Sequence, residues 1–174
     1  MMKDRILVID VEAVGLHGPG FAVGFTLIDF EGQATNEGIY AIRPELISNV
    51  ASSELAWVHE NVNIDDRYYN CLTLREVHSK FWAFWMQAKD RSILAADVVW
   101  PVESNFLSAC VADQKNERHW QGPYPLLDIA SFRMAHGIDA MATEERLPNE
   151  LPAHNPLNDA RQSARQLVPF LKYL

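Results

Sequence analysis

The sequence predicts an α/β fold with a mixed five-stranded sheet, in which a three-strand antiparallel meander precedes alternating β and α elements and helices flank the sheet. Three observations predict it. The first forty residues carry short apolar runs separated by turn signals, whereas the rest alternates between helical and strand patterns. The 174 residues are 48% hydrophobic and 22% charged, as in ordinary globular proteins. Without a repeat or a long linker, residues 1–174 are expected to form a single domain.

The strands follow from runs of branched and apolar residues. Arg5 to Asp10 is typical of a buried strand, and Phe21 to Asp29 is a second such run. A turn containing glycine then allows Ala34 to Ile42 to return as the third strand of the meander. Later in the chain, two more strands are predicted at Ser92–Ala96 and at Leu126–Ile129.

Capping signals place the helices. The S/T-x-x-E capping box that begins at Thr73 opens a long helix, and Asn155 followed by Pro156 is a cap with a proline at the first helical position. The predicted helices run from a cap at Ser53 to about Asn61, from Thr73 onward, from Pro101 to about Asp113, from the fifth strand to near Gly137, and from Asn155 to about Tyr173. Residues 138–153 are expected to form an irregular loop, and Asp128 to cap the helix after it.

The helix that opens at Thr73 carries a face of large apolar residues at helical spacing. These are Leu74, Val77, Phe81, Phe84, Trp85 and Ala88. The aromatic cluster at 81–85 has three interpretations: a face packed on the sheet, a base-stacking platform, or the interface of a homodimer. We expect the first, because aromatic side chains usually lie in cores.

Charge and composition exclude several classes of protein. A formal net charge of −8 argues against a broad basic surface that grips duplex DNA by its phosphates. No apolar stretch approaches the ~18–20 residues of a membrane span, and the apolar run after the first residues is too short for a signal peptide. Cys71 and Cys110 form no CxxC motif, so free thiols and a cytoplasmic location are expected.

Asp10 and Glu12 are the first candidate site residues. Residues two apart on a strand point to the same face, so their carboxylates are expected to converge at the end of the first strand. Like charges on one face of a sheet repel, and a divalent cation removes that repulsion. Because carboxylates are the preferred ligands of Mg²⁺ and Mn²⁺, the pair indicates a metal site.

Two further segments carry candidate residues. His154 precedes the last helix and Asp159 lies about one turn inside it, which allows Asp159 to reach a metal while His154 stays on a loop. Asp97 ends the fourth strand, and Glu103 lies in the first turn of the next helix. Either acid could be structural, Asp97 in a turn and Glu103 at the positive end of its helix dipole.

Together these motifs resemble the DEDD superfamily of 3′→5′ exonucleases, in the subgroup whose last motif carries a histidine (DEDDh), and there a small stand-alone exoribonuclease. The segment Asp10 to Leu16 looks like the first motif, D-x-E-x-x-G-L, and His154 to Ala160 looks like the third, H-x-x-x-x-D-A. The resemblance covers most of the chain, in order, and implies a ribonuclease H-like fold.

The chain departs from the family pattern at two places. The second motif normally has an aspartate ahead of a Phe-Leu pair, and Glu103 holds that position ahead of Phe106; Asp97 is the alternative ligand. Ala13 and Val14 replace the two threonines that follow the first acid, which leaves backbone amides to contact the terminal nucleotide.

The resemblance implies hydrolysis of phosphodiester bonds at the 3′ end of short single-stranded nucleic acid, with RNA weakly preferred over DNA. Two Mg²⁺ or Mn²⁺ ions would be held by Asp10, Glu12, Asp159 and the second-motif acid, with Asp10 bridging both ions. His154 would act as the general base, since histidine titrates near neutral pH.

The same resemblance implies where the substrate lies. Leu16 would wedge beside the terminal base, and Ala13 and Phe106 would make further substrate contacts. His17, Phe21 or Trp100 would stack on that base.

Two other functions are open at this stage. The two departures from the motifs are compatible with a catalytically weak nucleic-acid-binding module on the same fold. A metal-dependent endonuclease is the other, and a circular single-stranded substrate separates it from an exonuclease.

Overall fold

The computed structural model describes residues 3–140, 142 and 144–174. Within these residues, the strands are β1 (Arg5–Ala13), β2 (Gly20–Asp29), β3 (Ala34–Ala41), β4 (Ser92–Ala96) and β5 (Leu126–Asp128). The helices are α1 (Ser52–Asn61), α2 (Leu74–Ala88), α3 (Val102–Asp113), α4 (Lys115–Arg118), α5 (Ile129–Ala135) and α6 (Pro156–Leu167). Short 3₁₀ turns lie at Pro44–Leu46, Asp66–Tyr68, Pro148–Glu150 and Val168–Tyr173.

The strands form one mixed five-stranded sheet with the order β3-β2-β1-β4-β5, which confirms the predicted fold class. The β1–β2 and β2–β3 pairs are antiparallel, and the β1–β4 and β4–β5 pairs are parallel. β1 is therefore the central strand. Its C-terminal end points to the same edge of the sheet as the ends of β4 and β5, which is where side chains of an α/β site converge.

Helices cover both faces of the sheet. Alternate residues of β1 point to opposite faces. Leu7, Ile9 and Val11 pack in the larger core with α2 and α3, whereas Ile6 and Val8 pack in a smaller core with α5 and α6. Asp10 and Glu12 continue the second series, so the carboxylates lie on the face that α6 covers.

The aromatic cluster of α2 belongs to the core. Phe81, Trp82 and Trp85 are buried, and the partly buried Phe84 packs on Phe25 with ring centroids 4.3 Å apart. Burial rules out the base-stacking platform and removes the surface on which the homodimer interpretation rested. The amphipathic pattern of α2 therefore reports packing on the sheet, as the spacing predicts.

Several element ends differ from the prediction for local reasons. β1 continues beyond Asp10 because Val11 and Glu12 keep their pairing with β2. The N-cap of α1 is Ala51 and not Ser53. The Ala51 N–H donates to the carboxylate of Glu54, in the first turn of α1, at 3.3 Å. In the capping box of α2, Thr73 Oγ1 accepts from the Glu76 N–H at 3.1 Å, as predicted. The Glu76 carboxylate accepts from the Leu72 N–H at 2.9 Å and not from the Thr73 N–H.

The later elements also end earlier than predicted. Asp128 ends β5 because its carboxylate accepts the Ser131 N–H at 2.7 Å, which is the predicted cap of α5. α6 ends at Leu167 and continues as a 3₁₀ turn, since Pro169 has no N–H to donate to the helix. The segment predicted as an irregular loop contains a 3₁₀ turn at Pro148–Glu150.

Both cysteines, Cys71 and Cys110, are buried and unpaired. None of the helices in the described residues combines the length and the apolar composition that a membrane span requires.

Candidate active site

The site begins with the close approach of α6 to the sheet. Asp10 on β1 lies opposite Gly24 on β2. A β-carbon on Gly24 would lie 2.1 Å from the carbonyl carbon of Pro156 and 2.2 Å from the amide nitrogen of Leu157. Only glycine permits this approach. It brings the first turn of α6, which carries Asp159, over the carboxylates of β1.

Glu12, His154 and Asp159 form the compact part of the site. One potential ligand atom from each of these three side chains lies within 4.8 Å of the other two. Glu12 is 7% exposed, whereas His154 lies open to solvent. A carboxylate pair and an imidazole at this spacing can coordinate one divalent cation.

His154 is held by a segment distant in sequence. Its φ of 53° lies in the left-handed region, which non-glycine residues rarely adopt. The Asn63 N–H donates to the His154 carbonyl at 2.8 Å, and the Asn63 side-chain amide donates to the Ala153 carbonyl at 2.9 Å. The Asn155 amide in turn donates to the Asn63 carbonyl at 2.6 Å. These hydrogen bonds define the turn on which His154 sits.

Trp57 of α1 lies beside His154 and lines an adjacent cavity. The two rings meet edge to face, with centroids 5.6 Å apart. The cavity has a volume of about 280 Å³ and is lined mainly by apolar groups. Its lining residues are Val11, Glu12, Ala13, Gly15, Leu16, Trp57 and Val102. A nucleobase-sized ring fits a cavity of this kind next to the carboxylates.

Glu103 interacts more strongly with the carboxylates of β1 than Asp97 does. Glu103 is 7% exposed, in the first turn of α3, and its carboxylate interacts with the backbone amide of Val11. Its charge raises the pKa of both Asp10 and Glu12. Asp97 is exposed; its charge has the smallest effect on the pKa of Asp10, and Arg133 is its main charged neighbour.

The acids of the cluster hold protons more strongly than isolated carboxyl groups do. Burial raises the pKa of Asp10 well above its usual range, and the charge of Glu12 raises it further. Burial and the charges of Asp159 and Glu103 raise the pKa of Glu12 to about 7. Burial likewise raises the pKa of Glu103 to about 7. Such shifts show several carboxylates confined together without enough positive charge.

One side chain supplies part of that charge. Arg146, in the loop between α5 and α6, donates through Nη1 to Asp159 Oδ1 at 2.5 Å and to the Glu150 carbonyl at 2.9 Å. Burial raises the pKa of Asp159, and the hydrogen bond from Arg146 acts in the opposite direction.

The donor set fits a hard divalent cation. Carboxylate oxygens dominate it, and a cation would offset the burial and the mutual repulsion that raise the pKa values of these groups. The one imidazole stands at the open side of the cluster. Cysteine, the ligand that a soft or structural metal site would use, is absent from this group of residues.

Comparison with known proteins bears on the fold. No protein-family model matches the sequence, and no curated protein matches it. Among solved structures, a full-length 3′-exonuclease is 16% identical, with a TM-score of 0.62 over 99% of this chain and 84% of that chain. Pop2p of S. pombe, in a form with bound Mg²⁺ and Mn²⁺, is 10% identical, with a TM-score of 0.70 over 95% of this chain and 82% of that one.

Exonuclease X, in complex with 5′-overhanging duplex DNA, is 16% identical, with a TM-score of 0.54 over 99% of this chain and 92% of that chain. This chain has the ribonuclease H-like fold of 3′–5′ exonucleases. At 10–16% identity the likeness establishes the fold alone.

The structure brings most of the sequence-predicted residues to one place. The candidate metal ligands and the candidate base lie in a single cluster at the end of β1: Asp10, Glu12, Glu103, His154 and Asp159. The candidate substrate residues Leu16 and Ala13 line the adjacent cavity, and Leu16 is 64% exposed.

Two predicted substrate contacts lie in the core instead. Phe106 is 1% exposed and packs edge-on against Phe81. It therefore joins α3 to α2 in the core and is not accessible to a substrate. Phe21 is also buried and cannot stack on a base. His17 and Trp100 remain near each other, with ring centroids 6.4 Å apart.

Sequence reasoning missed three residues of the site: Trp57, Asn63 and Arg146. Only Trp57 had a local signal. It is a large aromatic in a helix whose other residues are mostly polar, and Val58 is the buried residue of that helix. Asn63 and Arg146 act on residues that are distant in sequence or across a loop, and no local pattern marks such pairs.

Proposed function

We propose that the protein is a metal-dependent 3′–5′ exonuclease of the DEDDh type. It would hydrolyse phosphodiester bonds at the 3′ end of short single-stranded nucleic acid. The observation that carries this proposal is the meeting of Glu12, His154 and Asp159 within 4.8 Å, beside a cavity of about 280 Å³ suited to a base. An active site of this fold needs carboxylates, a base and a place for the terminal nucleotide, and this cluster offers each of them.

Asp10, Glu12, Asp159 and Glu103 would hold Mg²⁺ or Mn²⁺, two ions per site. Bound ions would supply the positive charge that stabilises the attacking and leaving oxygens. Glu103 is the second-motif ligand in this proposal because its charge acts on both Asp10 and Glu12, and that of Asp97 acts on Asp10 alone of these two.

His154 would act as the general base. It takes a proton from the attacking water, the bond from phosphorus to the 3′ oxygen breaks, and the terminal nucleotide leaves as a 5′-monophosphate. The attacking water oxygen forms the new bond to phosphorus, and the 3′ oxygen that remains on the strand takes a proton from solvent to become the new 3′ hydroxyl. Asn63 fixes the backbone of His154, and Trp57 restricts its ring, so the base is oriented before the substrate arrives.

The cavity beside Glu12 would receive the terminal base. Leu16 is exposed at its edge and Trp57, 47% exposed, forms one wall. A base stacked on an aromatic ring is held without regard to sequence. In this proposal Trp57 takes the stacking role that the resemblance leaves open among His17, Phe21 and Trp100, and Phe106 makes no contact with the substrate.

The charge of the chain favours a short, end-held strand. Because the formal net charge is −8, the surface outside the site would repel the phosphates of a long duplex. The end of a single strand needs positive charge only where it is bound. The preference for RNA over DNA rests on the family resemblance. A cytoplasmic location is part of the proposal, and the buried free thiols of Cys71 and Cys110 support it.

A labelled-oligonucleotide assay tests the proposal. The protein is incubated with Mn²⁺ and 5′-labelled single strands of matched RNA and DNA sequence. We expect stepwise shortening from the 3′ end, no reaction with excess chelator, and no cleavage of a circular single strand. Asp10→Asn and Asp159→Asn should remain folded by circular dichroism and lose activity.

Asp66→Asn is the matched control, because Asp66 is exposed and pairs with Arg43 outside the cluster. It should retain wild-type turnover. Wild-type turnover in Asp10→Asn or Asp159→Asn would refute the site. Binding of the oligonucleotide without shortening would favour the catalytically weak binding module, and cleavage of the circle would favour an endonuclease.

A further inference from the structure

Arg146 stands over the acidic cluster with most of its hydrogen-bonding capacity unused. Its Nη1 donates to Asp159 and to the Glu150 carbonyl. Within the described part of the chain, Nε and Nη2 of Arg146 donate to nothing. A guanidinium carries five N–H donors in a fixed plane, and such a group matches the oxygens of a phosphodiester.

The loop that carries Arg146 is anchored by other contacts. The Glu150 side chain, in a residue only 1% exposed, accepts from the Leu147 N–H at 2.9 Å. It also accepts from Arg165 Nε of α6 at 2.6 Å and from Arg165 Nη2 at 3.0 Å. The backbone of the loop therefore stays in place when the Arg146 side chain, which is partly exposed, changes its rotamer.

Arg146 and a divalent cation compete for the same carboxylate. Asp159 offers an oxygen to the group formed with Glu12 and His154, and its Oδ1 accepts the Arg146 bond. A divalent cation at that group would repel the guanidinium and take its acceptor. The displaced side chain would then hold a positive charge at the mouth of a site otherwise made of acids.

We propose that Arg146 is a substrate-binding residue: a divalent cation releases it from Asp159, and its guanidinium then donates to a phosphate of the bound strand. This inference rests on the proposed exonuclease function. It couples the two binding events, since the metal frees the donor that the strand requires. Arg146 thereby keeps the cluster partly neutralised until the metal arrives.

Metal binding without substrate tests the first half. Mn²⁺ is titrated calorimetrically into wild type, Arg146→Gln and the control Arg91→Gln, which removes the same charge from an exposed pair with Asp4. We expect Arg146→Gln to bind Mn²⁺ about 10-fold more tightly than wild type and Arg91→Gln. Equal or weaker binding by Arg146→Gln would overturn the inference.

Substrate kinetics at saturating Mn²⁺ test the second half. On a short single strand, Arg146→Gln should raise KM about 10-fold with kcat changed by less than about threefold, and Arg146→Lys should recover part of the loss. An unchanged KM, or a fall in kcat alone, would overturn phosphate binding. A failure of the proposed function can be told apart from a failure of the Arg146 inference. In that case wild type and Arg91→Gln would neither bind Mn²⁺ at the cluster nor shorten the strand.

Discussion

His154 occupies a backbone conformation that the sequence around it does not favour. A non-glycine residue at a φ of 53° loses about 1 kcal/mol or more relative to its ordinary conformations. The hydrogen bonds from Asn63 and the edge contact with Trp57 offset that cost. Strained residues held in this way cluster at functional sites, because the surrounding structure fixes their side chains.

At the residue scale, we predict that His154→Ala lowers kcat by about 10²- to 10⁴-fold, the usual contribution of a general base. Mn²⁺ binding should persist because the carboxylates of the cluster remain. The measurement is steady-state turnover at saturating Mn²⁺, with binding followed by calorimetry. His59→Ala is the matched control, since His59 is half-exposed and pairs with Glu45. Unchanged turnover in His154→Ala would remove this residue from the mechanism.

The sequence predicts that Asp10 and Glu12 lie together, but it does not predict the burial of Phe106. Asp10 and Glu12 could be placed together because the two-residue period of a strand is a local property. Phe106 could not be placed, since nothing in its neighbourhood distinguishes an aromatic beneath α3 from one that faces a substrate. Its burial is decided by Phe81 and His78 of another helix.

At the element scale, the site depends on how closely α6 sits on β2. Gly24 lies in the middle of a buried strand, where a glycine normally weakens packing. Here the missing side chain makes room for the backbone of Pro156 and Leu157. Because Asp10 is the cross-strand partner of Gly24, the same contact places the start of α6 against the carboxylates.

We predict that Gly24→Ala destabilises the protein by about 1–3 kcal/mol, or more if α6 cannot shift, and also lowers turnover. The added methyl group would meet the Pro156 backbone and push Asp159 away from Asp10. Gly122→Ala is the control, because nothing lies within 4 Å of a β-carbon at that position. The denaturant midpoint and kcat are measured together. A Gly24→Ala protein with wild-type values of both would contradict this account of the site.

Element prediction succeeded where one local signal decides how an element begins or ends, and it failed where another contact overrides that signal. The Thr73 cap and the amphipathic face of α2 were confirmed, since both follow from spacing within one segment. The predicted cap of α1 at Ser53 was wrong. The N-cap is Ala51, whose N–H donates to the Glu54 carboxylate. β1 proved longer than predicted because its pairing with β2 extends it past Asp10.

At the scale of the whole molecule, the acidic cluster makes stability depend on pH and on metal. The pKa of Glu12 and that of Glu103 rise from an ordinary value of 4.5 to about 7 in the folded protein. Between these values the folded state binds protons that the unfolded chain has released. Their contribution to stability is therefore complete below about pH 4.5 and is lost as the pH rises through about 7.

We predict that the metal-free protein is less stable at pH 8 than at pH 5.5, with up to about 2 kcal/mol from each of the two groups. The urea midpoint in chelator, measured at both pH values, checks this. Mn²⁺ added at pH 8 should restore much of the loss, because it replaces the protons. The double variant Glu12→Gln with Glu103→Gln should flatten the pH dependence. A midpoint that rises with pH in wild type would show that the carboxylates are not confined as described.

Part of the negative charge behind the net charge of −8 is concentrated at one place in the fold. Several of the acids stand together at the end of β1, where bound divalent cations would neutralise them. Two arginines of α6 pair with glutamates; Arg165 binds Glu150, and Arg161 binds Glu37. These basic groups are thus engaged within the protein, and Arg146 differs from them in that its partner, Asp159, belongs to the cluster itself.

The sequence by itself determined the order of strands and helices, the face of α2 that is buried, and the spacing of the Asp10–Glu12 and His154–Asp159 pairs. These properties follow from periodicity and capping within short segments. Only the tertiary structure decided that the pairs meet, because Gly24 admits α6 and Asn63 holds His154 from far along the chain. The same holds for Trp57 and Arg146, whose positions depend on packing between elements that no local pattern encodes.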